Sequence, residues 1–256
     1  MKSMLKVDFK RMSKTKYFYI ILVCALLIPI IMTVMLKMMD GKVTVNPQTG
    51  VETVMEGMDN VWQFMGPLPA EEGESTGGMD VMSMCNINMM FMLAAVFICL
   101  FVSDDFTSGY AKNLFTVRSR KADYVASKTI VGFVCGALML ILYFIGSMVG
   151  GAIAGISYDL GTLNIGNIVM SMTAKIFLML VFTGIYVLIS VAAKQKTWLA
   201  ILGSLGGGML MFMMIPMITP LNSTIINVIM CAGGGLLFSV GMGALSNVVL
   251  KKTRLV

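Results

Sequence analysis

Apolar residues fall along this chain in six long runs, and polar residues gather in the gaps between them. The runs cover 17–36, 84–102, 129–150, 168–193, 198–217 and 225–250. Each is close to the roughly 20 residues a helix needs to cross the hydrocarbon of a bilayer. The pattern predicts an all-α membrane protein, one domain over residues 1–256 with six transmembrane helices. The first run follows a basic segment and lacks a small-residue cleavage pattern, so it reads as a retained anchor and not a signal peptide.

The gaps differ in charge, and this predicts an orientation. Sixteen of the 19 Lys and Arg residues lie before Tyr17, between Ala111 and Lys128, at Lys194 and Lys196, and after Leu250. With those segments inside, the rule that basic loops stay cytoplasmic places both termini in the cytoplasm. The first outer loop, 37–83, is acidic instead, with Asp40, Glu52, Glu56, Asp59, Glu71, Glu72, Glu74 and Asp80. It reads mainly as a solvated loop, since Gly, Pro and acidic clusters bury too little apolar area to pack. A short helix is expected around 57–65, with Trp62 and Phe64 at the lipid interface.

Residues 1–16 carry two periodicities. Lys2, Lys6, Lys10 and Lys14 recur every four positions, while Met1, Leu5, Phe9 and Met12 recur every three or four. A helix with a cationic and an apolar face lies in the headgroup plane of an anionic leaflet, so membrane lipid is an expected partner. Small residues four apart, as in Gly132/Gly136, Gly146/Gly150, Gly151/Gly155 and Gly203/Gly207, suit close helix packing. Gly206, Gly207 and Gly208, followed by Met211, Met213, Pro216 and Pro220, mark a hinge or short re-entrant hairpin at the end of the fifth run. Lys175 is the one basic residue within a run, near its outer end, and its stem is expected to snorkel outward.

Composition narrows the chemistry. Hydrophobic residues make up 57% of the chain and charged ones 12%, which leaves too little charge to cover a water-facing surface. With no histidine, the commonest general base and metal ligand is missing. The five cysteines are scattered and read as small apolar residues, and no phosphate-binding G-x-x-x-x-G-K-[ST] occurs. Catalytic, cofactor and metal residues are therefore assigned to none of the positions. The net charge of +6 follows the membrane-topology pattern, and no nucleic acid is expected as a partner.

One passage breaks the pattern. "VSDDFTSGYAKNLFTVRSRKADYVASK", 102–128, is charged and helix-prone between two strongly apolar runs. Phe106, Tyr110, Leu114 and Val117 form one stripe of a helix of about three turns. Asp104 and Asp105 precede it, where acids favour a helix N-terminus, and Arg118 and Arg120 close it. Such a short stripe suits docking into a groove on a cytosolic partner.

With Phe101, Gly109, Lys112, Asn113, Thr116, Ser119, Arg120, Tyr124, Ser127 and Lys128 in place, this passage resembles the segment after the second span in type-2 permeases of ABC exporters. The N-terminal helix, the large first outer loop and the Gly/Pro-rich end of the fifth run are similar to that family as well. The resemblance implies that 103–128 is a cytosolic coupling loop seated in a separately encoded ATPase. Asp104, Asp105, Phe106, Gly109, Tyr110, Lys112, Asn113, Leu114, Arg118 and Arg120 would form the contact. It further implies two ATPase subunits, with ATP and Mg bound on them and not on this chain, and a second permease subunit forming a homo- or heterodimer. The setting would be a bacterial plasma membrane. The nearest look-alikes are permeases for peptide antibiotics, lantibiotic immunity or bacitracin resistance.

The spans themselves offer methionine, phenylalanine and glycine but almost no charge, which favours an amphipathic or apolar substrate. A path between two copies, lined by the second and fifth spans, would use Met211 and Met213. The alternative is a stand-alone secondary transporter or channel. Coupled carriers usually keep carboxylates at depth, and none of the six runs contains Asp or Glu.

Overall fold

The six apolar runs become helices, and the charged passage between the second and third carries a short helix of its own. The computed structural model describes residues 1–45, 52–54, 58–66, 86–117 and 121–252. In chain order, α1 spans Lys2–Met12 and α2 Lys16–Met39. Two three-residue strands follow, β1 at Val43–Val45 and β2 at Glu52–Val54, paired antiparallel with Val43 opposite Val54. The sequence predicted no strand here. The β-branched residues Val43, Thr44, Thr53 and Val54 favour extended chain, and the turn-forming letters "NPQTG" lie between the strands in sequence.

Next come a 3₁₀ turn at Val61–Phe64 and the helices α3 (Met89–Thr107), α4 (Tyr110–Val117), α5 (Lys121–Ala154) and α6 (Ile165–Ala193). The chain continues through α7 (Thr197–Phe212) and α8 (Ile215–Ile218) to α9 (Ile225–Lys252). Among the described residues five helices, α2, α3, α5, α6 and α9, are long and apolar enough to cross a membrane. The fifth run falls short as a single helix. At 16 residues, α7 reaches about 24 Å at 1.5 Å per residue, against a hydrocarbon core of about 30 Å. Pro216 accounts for its end: it has no N–H to give the Phe212 carbonyl, and its ring crowds that carbonyl.

The packing is uneven. The central helices α3 and α6 bury Phe91, Phe97, Phe101, Phe182 and Tyr186 almost completely. α2 lies along α5, where Gly146 and Gly150 face the backbone of Leu26 and Ile30 and the side chains of Pro29 and Thr33. A methyl group at Gly150 would stand 2.9 Å from the Ile30 Cα, so this small-residue pair does set a close helix approach. α9 packs on α6 but leaves Leu237, Val240 and Met230 bare.

Part of the first long loop is folded against the bundle. Val61 N–H donates to Ser157 O at 3.1 Å, Trp62 Nε1 to Tyr158 O at 3.2 Å and Asn60 Nδ2 to Asp159 O at 2.6 Å. The short helix expected around 57–65 is the 3₁₀ turn. Phe64, expected at the lipid interface, is buried instead with its ring against Tyr143. Glu56, Glu71, Glu72, Glu74 and Asp80 lie outside the described residues.

Candidate functional site

The passage at 102–128 is not one helix preceded by two acids. α3 continues through Asp104, Asp105 and Phe106 to Thr107. Gly109 then takes φ +73°, a left-handed turn that L side chains rarely adopt, and α4 starts afresh at Tyr110. Asp104 and Asp105 therefore sit in the last turn of α3, at the end where a helix dipole repels acids. Something must offset that.

The offset is a cluster of opposite charges from three helices. Asp105 is fully buried, and its Oδ1 lies 2.5 Å from Arg11 Nη1 of α1, its Oδ2 2.7 Å from Lys128 Nζ of α5. Lys128, also buried, reaches Asp8 Oδ1 of α1 at 2.9 Å, while Ser127 Oγ donates to Asp8 Oδ2 at 2.6 Å. Two acids and two bases thus cancel. Asp104 is exposed and only 3.7 Å from Arg11 Nη2 at the edge. Aromatic faces complete the shell: Lys128 Nζ stands 4.0 Å from the Phe101 ring centre, and the Arg11 guanidinium 4.2 Å from that of Tyr110.

Titration follows this geometry. Burial alone would lower the Arg11 pKa, but Asp105 and then Asp8 outweigh it and hold the guanidinium above its ordinary value. Burial, and next Asp8, raise the Tyr110 phenol, which stays protonated. Removing one member of such a buried set leaves a bare charge, so the set fixes α1, α3 and α5 in one arrangement. Tyr110, under Arg11, ties α4 to it.

The coupling residues expected from the sequence divide into two groups. Asp105 and Phe106 face inward, Phe106 against Tyr124. Lys112 and Asn113 are exposed on α4, Leu114 is half-buried, and Arg118 and Arg120 lie outside the described residues. Lys2, Lys6, Lys10 and Lys14 are exposed as expected, but the buried register of α1 is Met4, Asp8 and Met12. The acid in that register was missed. Its signal was legible: Asp8 is the one acid four residues from two methionines on a basic helix.

At the opposite end of the bundle, Gly206 is open and Gly207 and Gly208 pack on α6, with Gly208 against Tyr186. Met211 is half-buried and Met213 exposed. Pro216 sits in the first turn of α8, and Pro220 follows its C-cap, Thr219. Lys175 corrects the sequence reading. It does not snorkel but is fully buried, donating to Asn88 Oδ1 at 3.2 Å, Thr219 O at 3.1 Å and Thr219 Oγ1 at 2.9 Å. These acceptors come from distant segments, so no periodicity could announce them.

No curated protein and no solved structure matches the chain. A family description, "ABC-2 family transporter protein", matches residues 4–207 of the 256, from α1 into α7 and across the whole charge cluster. On that match the chain belongs to the ABC-2 transporter family and is a transmembrane component of an ABC transporter.

Proposed function

We propose that this chain is the permease subunit of an ATP-driven exporter, working with two separate cytosolic ATPase subunits and a second permease in the plasma membrane. Both termini are cytoplasmic, and α7 with α8 supplies a sixth, broken crossing. The observation that carries this reading is the mounting of α4. Lys112 and Asn113 are exposed, while Tyr110 lies on Arg11 of the buried charge cluster. A short helix held this way suits docking in a partner's groove, and any push on it reaches α1, α3 and α5 together.

The substrate is an amphipathic or apolar molecule, such as a peptide, antibiotic or lipid-like compound, passing between two permeases. The bare end of α7, with Met209, Leu210 and the C-cap Met213 exposed, supports this. So does the adaptability of methionine toward apolar ligands.

Affinity purification of the tagged chain from its own membranes tests the reading. It should bring down an ABC ATPase, and Lys112→Glu with Asn113→Asp should release it while the permease stays folded. Transport by the chain with no ATPase present would overturn the proposal.

A further inference from the structure

Lys175 has no part in coupling at α4, yet its surroundings are specific. It lies in the third turn of α6, and its ammonium spends all three hydrogens on neutral oxygens. The acceptors belong to two other segments: Asn88 is the N-cap of α3 and Thr219 the C-cap of α8. A single side chain therefore joins α3, α6 and the elbow that links α7 to α9. The elbow has one held face and one bare face. Ile215, Leu221 and Ser223 are each 1% exposed, whereas Met217 is 81% exposed.

No ion pair reaches Lys175 among the described residues. Hydrogen bonds from a charged donor favour the closed arrangement, but no counter-charge is left bare when they part, as one would be in a buried ion pair. The tie is well formed yet inexpensive to release. A second acceptor stands ready: Ser171 Oγ, one turn earlier on the same face of α6, is buried with no hydrogen-bond partner among the described residues. On release Ser171 is the next acceptor along this face of α6.

We propose that Lys175 is a positioning residue for transport, a latch that holds the α8 elbow against α3 and lets the outer mouth open when the Thr219–Lys175–Asn88 tie is exchanged for Ser171. The proposal rests on the exporter reading and on its orientation, with this end of the bundle outside.

Cys231 of α9 reports the latch, being 3% exposed on the helix that packs against α6. In the full-length chain carrying Cys85→Ala, intact cells are treated with a membrane-impermeant maleimide and labelling at Cys231 is read by peptide mass. Lys175→Met, close in shape but unable to donate, should speed labelling about tenfold, the scale of losing hydrogen bonds from a charged donor. Asn88→Asp gives the ammonium a counter-charge and should slow labelling below the parent. A merely structural role would move both variants the same way. That result, or unchanged labelling in Lys175→Met, overturns the latch. Thr162→Cys, exposed in the α5–α6 connection, separates the two readings. If it labels only after permeabilisation, the orientation is wrong, and the Cys231 comparison is made with reagent supplied from the other side.

Discussion

The two ends of this bundle solve the burial of a lysine in opposite ways. At one end Lys128 stands between two buried carboxylates, Asp8 and Asp105, with Arg11 completing a neutral set. At the other end Lys175 has, among the described residues, an amide oxygen, a backbone carbonyl and a hydroxyl. Paired ions resist separation because parting them exposes two charges to a low dielectric. A cation among neutral acceptors loses little by changing one oxygen for another. The first arrangement keeps helices in register, and the second lets a segment leave.

The sharpest way to break the contrast is Lys128→Met. It leaves two buried carboxylates to share Arg11 alone and should destabilise the protein by about 3–5 kcal/mol, read as a lower unfolding temperature in detergent. Adding Asp8→Asn to that variant should recover part of the loss, because a double-mutant cycle on a coupled pair is not additive. Full additivity would mean the two residues do not share one cluster. Lys175→Met should cost less, about 1–3 kcal/mol, the usual scale for polar groups left without a partner. Equal losses at the two lysines would erase the distinction between the ends.

Gly109→Ala addresses how α4 is aimed. Forcing an alanine to φ +73° should cost about 1–2 kcal/mol, and ATPase recovery should fall by more than thermal stability does. The smallest effect is expected at the surface. Each of Lys2→Gln, Lys6→Gln, Lys10→Gln and Lys14→Gln should weaken the hold of α1 on anionic vesicles by about 1 kcal/mol, and salt should mimic the change. Salt-insensitive binding would remove the surface role of these lysines.

The spans were legible because hydropathy is a local signal: the predicted 225–250 and 168–193 differ from α9 and α6 by a few terminal residues. A hinge near the end of the fifth run was legible for the same reason, since Pro216 acts on its own helix, but its place was not: the run extends to Met217, whereas α7 ends at Phe212. The charge cluster was not. Lys128 was seen only as one place in a family-like passage, because its partner Asp8 is 120 residues away. The acids at the end of α3 were placed at a helix start, since residue order alone cannot tell which side of Gly109 carries the helix. Lys175 was misjudged by a rule that weighs distance to the surface and ignores acceptors brought by folding.

The pairing of Asp8 with Lys128 also bears on the order of assembly. Asp8 leaves the ribosome long before its lysine does, and an unpaired carboxylate stays hydrated in preference to burial. Helix α1 therefore cannot seat until α5 has entered the bilayer. A helix early in the chain is thus among the last to settle.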